Sequence, residues 1–155
     1  MKILGIDPGQ LCGWSIRDEN GHHISGVWNL KPTPRRAWGV CMVELSSWLQ
    51  KFIERAMPDI VVYEEVRGHK GTDAAHAYGR IVGQIEATCE VAGVPCTGIG
   101  VGTVKKYATG KGNANKEAMW SAAKERWPGE IISGKVGYDE VDARWIAEAY
   151  AQEMT

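Results

Sequence analysis

Acidic residues close two apolar segments of this chain and recur near its C-terminus. Asp7 follows an apolar run at the N-terminus, and Glu64 and Glu65 follow a second one. Neighbouring side chains of a strand face opposite sides of a sheet, so only one of these glutamates can share a face with Asp7. Asp139 and Asp142 are three residues apart, which places both carboxylates on one face of a helix. Four of these acids can therefore lie on a single surface.

Four carboxylates on one surface repel each other, and a fold tolerates that repulsion when a cation binds there. Hard divalent cations take oxygen ligands, and Mg²⁺ usually takes a few carboxylates together with water and substrate phosphate. Two such ions, roughly 3.5–4 Å apart, activate water on one side of a phosphodiester and stabilise the leaving oxygen on the other. A single strand-end aspartate is more often a cap or part of a solvated face. The combination on successive elements favours metal-assisted phosphodiester hydrolysis.

Apolar periodicity and turn residues predict the elements that would position these acids. Three successive antiparallel strands are followed by alternating helices and strands, which is the ribonuclease H-like layout. The prediction is an α/β fold with a five-stranded mixed sheet flanked by helices, in one domain spanning 1–155. Strands are expected at 2–7, 12–17, 23–30, 59–66 and 95–99, and helices at 36–56, 73–92, 102–107, 115–126 and 139–152, with Asp73 as the cap of the second helix and 128–137 as a loop.

Composition is consistent with one globular domain. The chain has 155 residues, of which 44% are hydrophobic and 24% charged. It has no apolar run long enough to span a membrane and no signal pattern at its N-terminus, so a cytoplasmic location in a bacterial cell or phage-infected host is expected. The four cysteines are scattered without the spacing of a zinc site, which predicts reduced thiols.

Lysines are concentrated in one segment. The net charge of −1 is no sign of a nucleic-acid binder. However, the segment 101–116 holds Lys105, Lys106, Lys111 and Lys116 and no acid. The loop Gly110-Lys111-Gly112 within this segment is predicted to be a flexible basic loop that lies on DNA phosphates, with a plain surface loop as the alternative.

Several segments resemble the RuvC-type Holliday junction resolvases. Ile3–Gly9 (ILGIDPG) resembles the opening of that family, and Val61–Val66 (VVYEEV) resembles its second acidic strand. Asp139–Ala143 is similar to its C-terminal acidic helix, with the same spacing of three. Lys105 and Lys116 resemble two lysine positions of the family. The resemblance extends from Ile3 to about Ala149.

This resemblance implies an Mg²⁺-dependent endonuclease that makes paired symmetric nicks in four-way DNA junctions. Two Mg²⁺ ions, for which Mn²⁺ may substitute, would leave a 5′-phosphate and a 3′-hydroxyl. Lys116, and less directly Lys105, would contact the phosphate near the cut. Glu64 is preferred to Glu65 because it is the residue that aligns when Val66 is kept in place. The implied metal ligands are Asp7, Glu64, Asp139 and Asp142.

The loop after the second acidic strand departs from the family pattern. Family members often carry an aromatic residue there that wedges open the junction, and residues 67–71 have none. The absence of this aromatic residue predicts that the enzyme is less strict about the branched structure of its DNA substrate. Arg67, His69 and Lys70 are expected to contact DNA.

The helix expected at 73–92 is a candidate dimer interface. A four-way junction has two-fold symmetry, which suits a two-fold dimer with two identical sites. Small residues on this helix would allow close packing between two copies: Ala74, Ala75, Ala77, Gly79 and Gly83. Packing within one chain is the alternative, and the family resemblance favours the homodimer.

Three other functions are compatible with parts of the sequence. A broader ribonuclease H-like nuclease would cut branched DNA, flaps or RNA–DNA hybrids. A non-catalytic DNA-binding scaffold is less favoured, because all four carboxylates are present. Asp7-Pro8-Gly9 followed by Gly13 is also similar to an actin-like phosphate-binding hairpin, but that architecture needs a longer chain with two such domains.

Overall fold

The computed structural model describes residues 1–134 and 136–155. Strands and helices alternate after an initial three-stranded meander, as the sequence predicted. The strands are β1 (Ile3–Asp7), β2 (Leu11–Arg17), β3 (His23–Asn29), β4 (Ile60–Glu65) and β5 (Cys96–Gly100). The helices are α1 (Trp38–Ala56), α2 (Thr72–Ala92), α3 (Val101–Thr109), α4 (Lys116–Arg126), α5 (Pro128–Ile132) and α6 (Tyr138–Glu153).

The strands form one mixed sheet with the order β3-β2-β1-β4-β5. β2 pairs antiparallel with β1 and β3, whereas β4 pairs parallel with β1 and β5. Helices α1 and α2 cover one face, and α6 covers the other together with α3 and α4. The predicted five-stranded mixed sheet of a ribonuclease H-like fold is confirmed.

Alternation along the strands determines which helical layer each side chain meets. Leu4 and Ile6 of β1 lie in the core beneath α1 and α2, as does Val61 of β4. Ile3 and Val62 lie in the core beneath α6. Residues of odd number in β1 and even number in β4 therefore point towards α6.

Helix α6 lies directly on the backbone of β1 and β2. A Cβ atom added at Gly5 would come 2.5 Å from the carbonyl oxygen of Ala143, and one added at Gly13 would overlap the carbonyl of Asp139. Both glycines lie within strands, where the absence of a side chain permits close approach of another backbone. The first two turns of α6 therefore contact the sheet without intervening side chains.

A buried polar network anchors the far half of α6. Glu148 accepts a hydrogen bond from Arg17 at 3.0 Å and is bonded to His23 at 2.8 Å. Burial would raise the pKa of Glu148, but the hydrogen bond from His23 and the charge of Arg17 lower it to about 2. Arg144, also buried, makes a two-pronged contact with Glu130 at 2.6 and 3.0 Å. The Glu148 contacts fix the far half of α6 along β2 and β3, and the Arg144 contact ties the middle of α6 to α5.

Two local predictions were wrong. Asp73 lies in the first turn of α2, which begins at Thr72 with Gly71 as its N-cap and no side-chain cap. Residues 128–132 form the short helix α5 and not a loop. Pro128 suits the first helical position, and Glu130 is held by Arg144 from another element.

Three further features concern a helix cap, the cysteines and the hydropathy of the helices. Asn115 caps α4 by accepting a hydrogen bond from the Ala118 amide at 2.9 Å. All four cysteines are free; Cys12, Cys41 and Cys89 are buried and Cys96 is half-buried. None of the described helices is both long and apolar enough to cross a membrane.

The contact between Gly13 and α6 gives a stability prediction. Gly13→Ala should lower the free energy of unfolding by about 1–3 kcal/mol, because the methyl group meets backbone that cannot rotate away. Urea unfolding followed by circular dichroism measures this. Gly39→Ala is the matched control, since Gly39 lies in α1 with open space around it. Equal stabilities of the two variants would contradict the proposed close contact.

Candidate active site

Asp7 and Glu64 lie side by side at one edge of the sheet. β1 and β4 are parallel, so their carboxyl ends meet there, and the register pairs Ile6 with Tyr63. The side chains of Asp7 and Glu64 both point towards α6, as the alternation along β1 and β4 requires. Glu65 points to the other face, where its carboxylate is 3.9 Å from the guanidinium of Arg67. Of the two adjacent glutamates, Glu64 is therefore the one that shares a face of the sheet with Asp7.

Asp139 and Asp142 reach the same edge from the first turns of α6. Gly13 pairs with Asp7 across β1 and β2, and the backbone of Asp139 lies on Gly13. Glu140, the acid between them, is turned away and accepts a hydrogen bond from the Gly137 amide at 2.9 Å. Two strands and one helix therefore bring together the four acids selected from the sequence.

The four acids are electrostatic neighbours. Burial raises the pKa of Asp7 well above its usual range, and the charges of Asp142, Glu64 and Asp139 raise it further. Burial and the charge of Asp142 raise the pKa of Glu64 to about 7. Burial and the charge of Asp139 raise the pKa of Asp142 to about 6. Asp7, Glu64 and Asp142 are thus costly to ionise because they are buried and because other carboxylates lie close to them.

The carboxylate oxygens of the four acids are ligands of the type that a hard divalent cation prefers. The carboxylates of Asp7, Glu64, Asp139 and Asp142 make no ion pair or side-chain hydrogen bond with any described residue. The described residues also contain no group of three or more His, Cys, Asp or Glu side chains already arranged to hold a metal ion. Oxygen donors alone suit Mg²⁺ or Mn²⁺.

Two of the predicted lysines lie beside the acids. The charge of Lys105, on α3, lowers the pKa of Glu64 and of Asp142 against the stronger effect of burial. The charge of Lys116, the first residue of α4, similarly opposes the rise at Asp7 and Asp142. Lys106 and Lys111 are exposed farther along the same basic segment.

Loop 66–71 is fixed to α2 by Tyr78, which the sequence analysis did not select. The Tyr78 hydroxyl accepts a hydrogen bond from the Val66 amide and donates one to the Glu64 carbonyl, both at 3.0 Å. The ring of His69 lies 4.7 Å from that of Tyr78. Arg67 and Lys70 are exposed on the same loop. The sequence gives no signal for this role, because a tyrosine in an amphipathic helix that holds a loop by hydrogen bonds looks the same as one that only packs in the core.

Gly13 is a second residue that the sequence analysis did not assign to the site. It had been considered only in the context of a phosphate-binding hairpin. A glycine inside a predicted strand is, however, a recognised signal for close approach of another backbone. The element that approaches it is distant in sequence and could not be identified without the fold.

These features define a class of protein. A ribonuclease H-like sheet with a carboxylate cluster at the ends of β1 and β4, completed by a C-terminal helix and flanked by lysines, is the arrangement of a metal-dependent nuclease. Comparison with known proteins specifies the family.

The family model described as "Crossover junction endodeoxyribonuclease RuvC" matches residues 3–124. The RuvC protein of Ruegeria pomeroyi is 31% identical over 153 residues, which cover 97% of this chain and 91% of that protein. The Thermus thermophilus RuvC structure superposes with a TM-score of 0.75 at 23% identity and covers 100% of this chain and 98% of that one. The structure of T. thermophilus RuvC in complex with Holliday junction substrate gives a TM-score of 0.78 at 22% identity, covering 99% and 94%. The chain belongs to the RuvC family.

The raised pKa of Glu64 predicts a pH-dependent stability. A carboxyl whose pKa is higher in the folded state, here about 7, destabilises the fold progressively as pH rises above the unfolded value of 4.5. Glu64→Gln should therefore raise the free energy of unfolding at pH 8 by roughly 1–3 kcal/mol and have little effect at pH 4. Chemical unfolding in the presence of a chelator, at both pH values, measures the difference.

Glu65→Gln is the matched control for this experiment, because Glu65 is adjacent in sequence but faces the opposite side of the sheet. It should leave the pH dependence unchanged. The same gain in both variants would contradict the assignment of Glu64 to the buried cluster.

Proposed function

We propose that this chain is a structure-selective DNA endonuclease that resolves four-way junctions by paired symmetric nicks. The observation that carries the proposal is the group of four carboxylates from β1, β4 and α6, which form no ion pair with any residue that the structure describes, in a chain of the RuvC family. The curated relatives are named crossover junction endodeoxyribonucleases, and one structural neighbour was solved with Holliday junction substrate. The expected role is in DNA recombination and repair.

Asp7, Glu64, Asp139 and Asp142 would hold two Mg²⁺ ions, with Mn²⁺ as a substitute. When bound, such ions supply an activated water and stabilise the charge that develops on the leaving oxygen. The protein contributes a half-buried set of oxygen donors that make no ion pair or side-chain hydrogen bond with any described residue. Neutralisation of the repulsion between these carboxylates is the source of affinity for the cation.

Lys116 and Lys105 would contact the phosphate that is cut. Both ammonium groups are close enough to the acids to lower their pKa, so a phosphate bound at the acids also lies near these cations. A fixed positive charge aimed at a phosphate stabilises the transition state more than the ground state when charge builds up there. Lys116 is therefore proposed as a catalytic residue.

The remaining basic residues would hold the arms of the DNA. Lys106 and Lys111 extend the positive surface from α3 into the following loop, and Arg67, His69 and Lys70 lie on loop 66–71 next to Glu64. Their contacts to phosphate would be independent of base sequence and sensitive to salt.

A homodimer through α2 would provide two such sites. One face of α2, including Ile81 and Ile85, packs on α1 and the sheet. Ala74, Ala75, Gly79 and Gly83 are exposed, and Cβ atoms added at either glycine meet nothing within 4 Å. This free strip of small residues supports close packing of two copies, while Ala77 is half-buried at its edge.

The proposal covers the whole chain, 1–155, as a single nuclease domain acting in the cytoplasm of a bacterial cell or phage-infected host. A broader nuclease that also cuts flaps or RNA–DNA hybrids is the second candidate. Loop 67–71 supports it, since it has no aromatic side chain to wedge into a junction.

Asp7→Asn should lower the rate of junction cleavage by at least about 10²–10³-fold, because it removes a charged metal ligand at the centre of the cluster. Binding to the junction should remain within about threefold, since the lysines are unchanged. Cleavage of a labelled synthetic four-way junction with Mg²⁺, and electrophoretic mobility shift with chelator, measure the two effects. Asp73→Asn, an exposed acid on α2, is the control.

The same assay, run with linear duplex, flap and RNA–DNA hybrid, separates the candidates. Paired symmetric nicks in the junction alone support the resolvase. Equal cutting of flaps or hybrids would retain the acidic site but favour the broader nuclease. Strong cutting by Asp7→Asn would contradict the proposed site, and tight junction binding without any cleavage by the parent protein would favour the scaffold.

Gly83→Arg should convert the dimer to a monomer, because a long charged side chain would fill the face on which the second copy packs. Within one chain, a Cβ atom at position 83 meets nothing within 4 Å, so the arginine side chain should leave the fold intact. Light scattering coupled to size-exclusion chromatography measures the mass, with Gly39→Arg on α1 as the control. A dimer that survives Gly83→Arg would exclude this face of α2 as the interface.

A further inference from the structure

Two aromatic rings and a lysine form a group at the rim of the acidic cluster. The rings of Trp120 and Tyr138 lie 4.2 Å apart with an angle of 33° between them. The Lys116 ammonium lies 5.5 Å from the centre of the Tyr138 ring. Lys116 and Trp120 are four residues apart on α4, so they share a face, whereas Tyr138 is the first residue of α6.

The group is anchored on one side and open on the other. Trp120 is half-buried and packs against the core beneath α6. Tyr138 is 51% exposed, although a large aromatic ring is not needed to begin a helix. The Tyr138 hydroxyl makes no hydrogen bond with any described residue. A supported aromatic surface thus faces solvent.

The position of this surface relates it to the substrate. Tyr138 immediately precedes Asp139, whose backbone lies on Gly13 beside Asp7. Lys116 is the proposed contact to the phosphate that is cut. Any nucleotide whose phosphate meets both the acids and Lys116 therefore has its sugar and base within reach of the Tyr138 ring.

An exposed aromatic ring next to a lysine matches the two parts of a nucleotide. Stacking of a base on an aromatic side chain tolerates every sequence, since each base has a π-face, and the cation takes the phosphate. The cation also interacts favourably with the ring itself, so the two groups support each other before DNA binds. A surface tyrosine distant from the acids could stack on a base, but it would have no cation beside it to bind the phosphate.

We propose that Tyr138, backed by Trp120, forms a nucleobase subsite in which the base flanking the cut phosphate stacks on the exposed face of the ring. The inference rests on the proposed function and extends it to a specific contact with an unpaired or partly unpaired base. It supplies an aromatic contact at the junction centre in a chain whose loop 67–71 has none. The Tyr138 ring comes from α6, beside the acids and backed by Trp120 of α4, and not from the loop after β4.

A purely positional role for Tyr138 is the competing explanation. The ring could hold the Lys116 ammonium in place without touching DNA. In that case, loss of the ring would slow cleavage, but no base would lie against residue 138. The test therefore needs a direct report of ring-to-base contact in addition to a rate.

The experiment first maps the cut with the parent protein on an end-labelled four-way junction. Thymine positions flanking the cut are then replaced by 5-iodouracil, which cross-links to stacked aromatic side chains on irradiation, and the cross-linked peptide is identified by mass spectrometry. Cross-linking is measured in the Asp7→Asn background so that the junction stays intact. Tyr138→Phe, Tyr138→Leu and the control Tyr107→Leu are compared; Tyr107 is 36% exposed but lies against Glu148 at the other end of the sheet.

The expected result is a cross-link at Tyr138 that persists in Tyr138→Phe and Tyr107→Leu and falls at least about tenfold in Tyr138→Leu. In the cleaving protein, Tyr138→Leu should raise KM for the junction about tenfold, and Tyr138→Phe should change it less than about twofold. Cross-links elsewhere, or a slower Tyr138→Leu whose cross-linking is unchanged, would overturn the subsite. Normal junction cleavage by the parent protein in the same series would show that such a failure concerns Tyr138 and not the proposed function.

Discussion

Close contact between α6 and the backbone of β1 and β2 is the constraint on which the rest of the site depends. Side chains normally separate a helix from a sheet, but Gly5 and Gly13 leave the strands bare where Ala143 and Asp139 lie. The helix is therefore seated deeply enough for its first two turns to reach the ends of β1 and β4. Any side chain at Gly13 would move the acids of α6 away from Asp7, whatever their spacing along the helix.

The close contact of α6 with the sheet brings carboxylates together that repel each other. Burial and mutual repulsion raise the pKa of Asp7, Glu64 and Asp142, so the ionised cluster opposes folding at neutral pH. Other residues of α6 offset the cost, since Glu148 and Arg144 are buried in satisfied polar networks that fix the helix to β2 and β3. Strain at a functional edge with compensation elsewhere in the same element is a common pattern in active sites.

The substrate side of the site is assembled from elements of different kinds. Lys105 and Lys116 come from α3 and α4, which follow the last strand, whereas loop 66–71 follows β4 and is fixed by Tyr78. Tyr138 and Trp120 add an aromatic surface between the acids and the core. Positive charge, a pinned loop and an exposed ring thus surround the carboxylates, and each is supported by packing that does not involve the acids themselves.

Apolar periodicity and turn residues are local signals, and they were enough to predict the fold class, the meander and most element bounds. The types and spacing of the acids indicated Asp7, Asp139, Asp142 and one of the two adjacent glutamates. The family resemblance favoured Glu64 over Glu65, and the pairing of β1 with β4 places Glu64 on the same face of the sheet as Asp7. The cap of α2, the helix α5, the role of Gly13 and the grouping of Tyr138 with Lys116 were decided by tertiary structure. Helix α5, the contact at Gly13 and the grouping of Tyr138 with Lys116 depend on partners distant in sequence, and no local pattern records which backbone or ring will be brought into contact.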